Sequence, residues 1–385
     1  MTAAPLGSPW SAISGGGYNP CRAPNRQGQT WDLVRARQRR GEPAGRLIGI
    51  GFASFTEQSA GGAAEYAARD LAIIPGYESC TARILTDGSA VVMVGIQSHG
   101  QGLETALSQI AAHELGIDPA RIAVRHGDTD ISAFGFGTFA SRSMVMAGGA
   151  VARATRILRD KLTRIGAHLL QADPAEVRYA DGAVWGPQGS VTVSEIAKVA
   201  HLRMDGLPPD VDPLLDTTAT YEPETGTGVF SYATHGAVVA VDPETGFVEI
   251  LDFAVAEDCG TMVNPMIVEG QIRGGVVQGI GTALYEEIPY DEAGQPLVGT
   301  LADYLLPGAA EMPAIKISHL HTPTPHTEYG MKGMGEGGAV APPAAIANAV
   351  RDALAGIGAE VNETPITPRR VLTAINAARD AAASR

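Results

Sequence analysis

The chain has 385 residues, 45% hydrophobic and 18% charged, with 47 glycines and 25 prolines. This describes an ordered globular protein with many tight turns, long enough for two or three domains and a sizeable core. A formal charge of −14 argues against nucleic acid or an anionic membrane as the main partner.

Residues 1–30 are rich in Gly, Pro, Ser and Asn and read as an extended arm, and 31–41 read as a polar helix. Within and beside that helix, Arg35, Arg37, Arg39, Arg40 and Arg46 form a basic cluster, either a solvated face or a docking surface for another subunit. Alternation over Arg46 to Phe55 predicts a strand. A hairpin follows, 79–85 and 89–95, turning at Asp87-Gly88. Helical periodicity marks 103–115 and 143–170, and 121–126 reads as a strand between them. A second hairpin spans 176–185 with its turn at Asp181-Gly182, and 193–200 reads as a short helix. The Pro-, Asp- and Thr-rich stretch 203–230 is the best internal boundary. Then come a third hairpin, 231–241 and 247–257, a glycine-containing helix over 264–286, and helices over 341–354 and 368–382. Hairpins alternating with long helices predict an α+β fold. The expected organisation is an arm at 1–45 that contacts another subunit, one subdomain at 46–215 and another at 216–385.

No apolar run reaches the ~18 residues of a membrane span. The N-terminus lacks the basic and apolar regions of a Sec signal. Cys21, Cys80 and Cys259 are far apart with no C-x-x-C pair, which fits a reducing cytoplasm and argues against a cysteine-ligated zinc or iron–sulfur site within this chain.

Four segments could carry chemistry. The run 330–338 is a glycine-rich loop with one carboxylate, Glu336, directly before an apolar helix. Its glycines allow close backbone approach, the helix start offers N–H groups to an anion, and Glu336 can serve as a base. The plain alternative is a surface loop with a helix-capping Glu. Between a strand and a helix, Gly100 and Gly102 bracket Gln101, whose amide both donates and accepts; His99 beside it reads as structural. In 134–143, two glycines, the hydroxyls of Thr138, Ser141 and Ser143, and Arg142 could hold a phosphate, although no P-loop pattern is present; a serine helix cap with an exposed Arg is the alternative. In 257–279, Gln271 and Gln278 lie seven apart on one helix face among glycines at 270, 274, 275 and 279. Close helix packing explains those glycines but not two amides.

Together these segments resemble the molybdenum-binding large subunits of the xanthine dehydrogenase, aldehyde oxidase and carbon monoxide dehydrogenase family. The resemblance rests on His99-Gly-Gln-Gly102, Gly137-Thr-Phe-Ala-Ser-Arg-Ser143, Asp258-Cys-Gly260, Asn264-Pro265, Glu269-Gly-Gln271, Gln278-Gly279 and Lys332-Gly-Met-Gly-Glu336, in that order. It covers roughly 45–375 and only the C-terminal half of the usual subunit, as in members split over two polypeptides.

The resemblance implies Glu336 as catalytic base, and Gln101 with Gly102, and Gln278, at the pterin or its oxo group. It implies a backbone cradle for pterin and pyrophosphate from Thr138, Phe139, Ala140, Ser141, Arg142, Ser143 and Met144. Asp258, Asn264 and Gln271 would hold the dinucleotide tail, and Lys332, Gly333 and Gly335 belong to the cofactor-binding glycine loop. In the family the pterin dithiolene, not a side chain, ligates molybdenum, and the bacterial cofactor is molybdopterin cytosine dinucleotide. The implied reaction hydroxylates an electron-poor carbon of an N-heteroaromatic ring or aldehyde, with water as oxygen source. Two electrons then leave through [2Fe–2S] clusters to FAD on partner subunits, beside a chain carrying the N-terminal half. A carbon monoxide dehydrogenase subunit and a non-catalytic cofactor carrier are the alternatives; an intact Glu336 counts against the carrier, which needs no base.

Overall fold

The computed structural model describes residues 30–71, 73–224 and 228–384, so most of the N-terminal arm and Cys21 lie outside the described residues. In chain order, α1 (Thr30–Arg40) leads to the long strand β1 (Leu47–Ser59) and the short α2 (Ala63–Ala68). The hairpin β2 (Glu78–Ile84) and β3 (Ala90–Val94) pairs antiparallel around Asp87-Gly88, with Gly88 at φ +82°. Helix α3 (Leu103–Leu115) then crosses to β4 (Ile122–Arg125), parallel to β3. The long α4 (Ser143–Leu169) follows, then a small sheet of β5 (Arg178–Ala180), β6 (Ala183–Gly186) and β7 (Gly189–Thr192). Helix α5 (Val193–Leu202) starts in a reciprocal Thr192/Glu195 capping box. Strands β8 (Asp216–Tyr221), β9 (Val229–Val241) and β10 (Val248–Asp258) precede α6 (Pro265–Leu284), β11 (Ile315–His319), α7 (Gly337–Val340), α8 (Pro342–Leu354) and α9 (Pro368–Ala383).

The fold is α+β, as expected, but its two cores interleave in sequence. One sheet has the order β4-β3-β2-β8 and the other β1-β9-β10-β11. Strand β1 thus leaves the N-terminal part to pair along its whole length with β9, from Leu47↔Val241 to Ser59↔Val229. In exchange, β8 returns from 216–221 to flank β2. A cut at 215/216 would take an outer strand from each sheet, so the division expected from sequence is not the division of the cores. The first core packs α3, α4 and α5 on the β2 sheet through Leu107, Leu158, Leu162 and Ile196. The second packs α6, α8 and α9 on the β9 sheet through Phe253, Ile280, Ile346 and Ile375.

Two contacts set how the pieces meet. Helix α8 lies so close on β1 that a Cβ on Gly49 would stand 2.1 Å from the Ala349 carbonyl oxygen. The glycines of α6 divide in function: Gly275 meets the Gly338 backbone of α7 and Gly279 meets Pro342, whereas Gly270 and Gly274 face open space. Close helix packing therefore accounts for one pair of them. On the outer face of the β9 sheet, Val34 of α1 packs with Ile48, Ile50 and Val238. The basic cluster is largely spent there: Arg35 pairs with Asp352 at 2.7 Å, Arg37 with Glu42 at 2.6 Å, and Arg46 with Glu249. Among the described residues no helix is long and apolar enough to cross a membrane.

Candidate active site

A cavity of about 580 Å³ opens where the two cores meet. Four segments wall it: the start of α3, the 138–144 turn into α4, the 259–268 link into α6, and the glycine loop before α7. Each is a strand-to-helix or loop-to-helix junction, where backbone N–H groups lack intrahelical partners.

Gln101 lines the cavity and its Oε1 accepts the His99 N–H, which fixes one end of the amide. Gly100, at φ +101°, has nothing within 4 Å of a notional Cβ, so its conformation excludes most side chains while its surface stays open. In the 138–144 turn, Ala140 and Ser141 are consecutive non-glycine residues at φ +48° and +52°. Such a pair is uncommon and costs free energy. It turns the chain so that Phe139, Ser141, Ser143 and Met144 all reach the cavity. The Thr138 hydroxyl also lines it, and ties the turn to the neighbouring loop by donating to the Gln97 carbonyl at 2.6 Å.

Asn264 caps α6 by accepting the Ile267 N–H at 3.2 Å, donates to Gln109 at 3.0 Å, and still borders the cavity. Gln271 lies about two turns further on and also lines it. Lys332 is 8% exposed and reaches Asp258 at 3.0 Å. Burial of Asp258 works against ionisation, but the Thr322 hydroxyl, the Gly260 N–H and the Lys332 ammonium together hold its carboxyl below the usual range.

The glycine loop is pinned at both ends. Before it, Glu114 of α3 accepts from Arg156 at 2.8 Å, Arg159 at 2.7 Å and the Tyr329 hydroxyl, while Arg156 also reaches Glu328 at 2.7 Å. Gly330 turns at φ +76°, and Lys332 N–H donates to the Cys259 carbonyl at 2.9 Å. Further on, Gly333 N–H donates to the Ser59 hydroxyl and Glu336 N–H to the Ser141 hydroxyl, both at 3.0 Å. Glu336 stands at the cap position of α7, yet its side chain makes no cap hydrogen bond. The residue lines the cavity, and the absence of a cap hydrogen bond goes against the helix-capping alternative.

The structure therefore gathers Gln101, Thr138, Phe139, Ser141, Ser143 and Met144 around one cavity with Asn264, Gln271, Lys332, Gly335 and Glu336. It places six expected residues elsewhere. Arg142 is wholly buried: its guanidinium pairs with Glu78 at 2.5 Å and donates to the Gly137 and Tyr77 carbonyls at 2.8 and 3.2 Å. It braces the turn from behind, so the phosphate-holding role gives way, as does the alternative of an exposed Arg. Asp258 is buried behind Lys332. Gln278 is exposed and away from the cavity, because seven residues advance a helix by ~10 Å and the cavity reaches only its first turns. Gly102 packs on Ile267, and Gly333 is wedged between Ser59 and the Ser141 carbonyl. Ala140 shapes the turn through its backbone without lining the space.

Sequence reasoning passed over two groups of residues. Cys259, Thr261, Met262 and Val263 border the cavity; burial pushes the Cys259 thiol up, with Glu257 and Asp258 adding to it. Beneath the loop, one face of β1 presents Phe55 under Gly337 and Ser59 under Gly333, with Glu57 between them. A Gly-rich loop signals itself in sequence, whereas the strand below it carries only ordinary alternation.

The molybdopterin cofactor-binding domain family matches residues 26–313 of this chain. The large subunit of nicotine 6-hydroxylase from Paenarthrobacter nicotinovorans is 37% identical over 88% of this chain and 41% of its own length. The carbon monoxide dehydrogenase large chain of Hydrogenophaga pseudoflava is 34% identical over 89% of this chain and 42% of its own. Among solved structures, quinoline 2-oxidoreductase from Pseudomonas putida 86 superposes with a TM-score of 0.82 at 38% identity, over 90% of this chain and 44% of that one. The chain thus spans about two fifths of the length of the relatives it matches. It belongs to the molybdopterin cofactor-binding family of molybdenum oxidoreductase large subunits.

Proposed function

We propose that this chain forms one half of the active site of a multi-subunit molybdenum hydroxylase, with Glu336 as the catalytic base. The carrying observation is the uncapped Glu336 carboxylate on the wall of a cavity shared by Gln101 and the Ala140–Ser141 turn. The cavity suits a pterin cofactor. Amides that both donate and accept line it at Gln101, Asn264 and Gln271, hydroxyls at Thr138, Ser141 and Ser143, and one ammonium at Lys332. Gly100 leaves open the space a Cβ would occupy on the cavity wall, as a flat ring at close quarters requires.

When bound, the molybdenum cofactor supplies the two-electron oxidation, and the protein supplies position, exclusion of water and the base. Gln101 and the 138–144 turn would hold the pterin between them and the rest of the cavity wall. Lys332, with its charge balanced by Asp258, offers an ammonium toward an anionic part of the ligand. A carboxylate oxygen of Glu336 would take the proton from the water that provides the oxygen, while the bound cofactor would accept the two electrons of the substrate C–H bond that the new C–O bond replaces. Leu103, Ala106 and Ile267 add apolar surface to the cavity wall.

We assign the cofactor its cytosine dinucleotide form and an electron-poor N-heteroaromatic or aldehyde carbon as target; the heteroaromatic choice is supported by relatives named for nicotine and quinoline. The reaction leaves two electrons to be carried away, for which we assign [2Fe–2S] and FAD partner subunits. Cys80 and Cys259 are free and buried, which suits the cytoplasm.

The test is affinity purification of the chain from its host, with mass spectrometry of co-purifying subunits, molybdenum analysis, and dye reduction with nicotine, quinoline, aldehydes, hypoxanthine and carbon monoxide. Partner subunits, about one molybdenum per copy and turnover of a heteroaromatic or aldehyde are expected. A lone, metal-free chain would overturn the proposal; turnover of carbon monoxide alone would assign the other branch of the family.

A further inference from the structure

The structure assigns Ser59, the last residue of β1, as a positioning residue for Glu336: its buried hydroxyl holds the Gly333 N–H and so fixes the near end of the span 333–336 that carries the base. This inference rests on the reading of Glu336 as base. Ser59 is 1% exposed and does not line the cavity, so it acts through the loop. Its Oγ accepts the Gly333 N–H at 3.0 Å and donates to the Val229 carbonyl of β9 at 3.4 Å. A hydroxyl has one proton to give; with that proton turned toward β9, its lone pairs face the loop. Gly333 has no room to move aside: a Cβ on it would stand 2.3 Å from the Ser141 carbonyl oxygen and 2.6 Å from the Ser59 Oγ. An apolar residue in place of Ser59 would leave this buried N–H without a partner, which is costly.

At the far end of the same span, the Glu336 N–H meets the Ser141 hydroxyl at 3.0 Å. The span 333–336 is thus held at both ends by hydroxyl acceptors, one from each core: Ser59 from the β9 sheet and Ser141 from the turn into α4. Non-glycine residues in the left-handed region stand wherever the loop is gripped. Ala60 follows Ser59 at φ +52°, Ala140 and Ser141 form the turn at +48° and +52°, and Tyr329 precedes the loop at +57°. Such conformations cost free energy and persist only where the surrounding structure over-determines them. Ala60 is wholly buried in the first core. Strand β1 therefore ends by crossing from the second core into the first, and Ser59 stands at the crossing. Without its hydroxyl the loop keeps the Ser141 bond but gains freedom at Gly333, and Glu336 shifts with it.

The test uses the assembled, molybdenum-loaded complex and compares Ser59→Ala, Ser59→Thr and Ser54→Ala. Ser54 lies on the opposite face of β1, where its hydroxyl meets that of Thr234 at 2.8 Å, so its variant controls for a weakened strand. Amide exchange at Gly333, resolved by overlapping peptides, needs no substrate. Ser59→Ala should exchange roughly tenfold faster there, the effect of losing one buried hydrogen bond. Ser59→Thr, which keeps the hydroxyl, and Ser54→Ala should keep native protection. For the substrate found above, kcat should fall about tenfold in Ser59→Ala with KM and molybdenum content unchanged, and stay native in the other two. Native exchange at Gly333 in Ser59→Ala overturns the assignment. So does an equal rise in Ser54→Ala, or a Ser59→Thr protein of native melting midpoint that exchanges as fast as Ser59→Ala. Glu336→Gln, run in parallel, judges the base alone: if it turns over normally the base reading fails, while the exchange data still decide the anchor. If Glu336→Gln is inactive yet Ser59→Ala combines fast exchange with native kcat, the base reading stands and the positioning role falls.

Discussion

Replacing Arg142 by Met separates a brace from a ligand-binding cation. Arg142 and Glu78 are both fully buried and paired at 2.5 Å, and Glu78 Oε1 also accepts the Phe136 N–H at 3.0 Å. The substitution removes the ion pair and leaves the Gly137 and Tyr77 carbonyls short of a donor. Breaking one side of a buried pair costs ~3–5 kcal/mol. With an unfolding entropy of ~2.1 cal/mol/K per residue, the 385 residues carry about 0.8 kcal/mol/K. The melting midpoint of Arg142→Met should therefore fall by about 4–6 °C, in metal-free and loaded protein alike. The double variant Glu78→Leu/Arg142→Met, which removes both charges, should recover most of that loss. Differential scanning calorimetry with molybdenum analysis checks both. An unchanged midpoint with lost cofactor would mean that the guanidinium contacts the ligand, and the reasoning would be refuted.

Glu336→Gln should lower turnover by at least about 10²-fold with molybdenum content unchanged, read by steady-state kinetics and metal analysis. A Cβ on Gly149 of α4 would stand 2.4 Å from the Tyr221 ring of β8, so Gly149→Ala should cost ~1–3 kcal/mol by overpacking, measured as a lower midpoint. His235 is buried between Phe55 and Phe253, and burial depresses its ring pKa from 6.5 to about 3. The unfolded chain takes up that proton near pH 6.5 while the folded chain does not. Stability is thus intact above that pH and is lost as pH falls toward 3. At pH 5 the loss is about 2 kcal/mol. Going from pH 7.5 to 5, His235→Phe should lose less melting temperature than native protein; equal losses would mean that the ring is not buried as a neutral group.

Helices with clear periodicity and turn residues at their ends were legible in the sequence. The 103–115 expectation coincides with α3, whose end is Gly116 at φ +61°, and the Asp87-Gly88 and Asp181-Gly182 turns lie where turn chemistry puts them. Strands β8 and β11 were not legible. Asp216–Tyr221 is Thr-rich at the edge of its sheet, and Ile315–His319 buries only Ile315, so neither carries the apolar alternation by which strands are read. The division of the chain failed for a related reason: strand exchange between sheets is tertiary, and no local pattern reports it.

The candidate site shows the same limit more sharply. Motif residues announce that a loop is special without saying which way each side chain points. Gln271 and Gln278 are alike on a helical wheel, yet only one reaches the cavity; Arg142 sits amid ligand-like hydroxyls, yet turns inward to Glu78. In both cases a distant element decides: the start of α6 sets the reach of its amides, and β2 supplies the acid that captures the guanidinium. Ser59 is the converse case. No local pattern marks it, and its contact with the Gly333 N–H arises only because β1 leaves its own end of the chain to pair with β9. The strand exchange that hides the domain boundary is also what brings the Ser59 hydroxyl under the loop, so the base should owe its position as much to β1 as to the glycines around it.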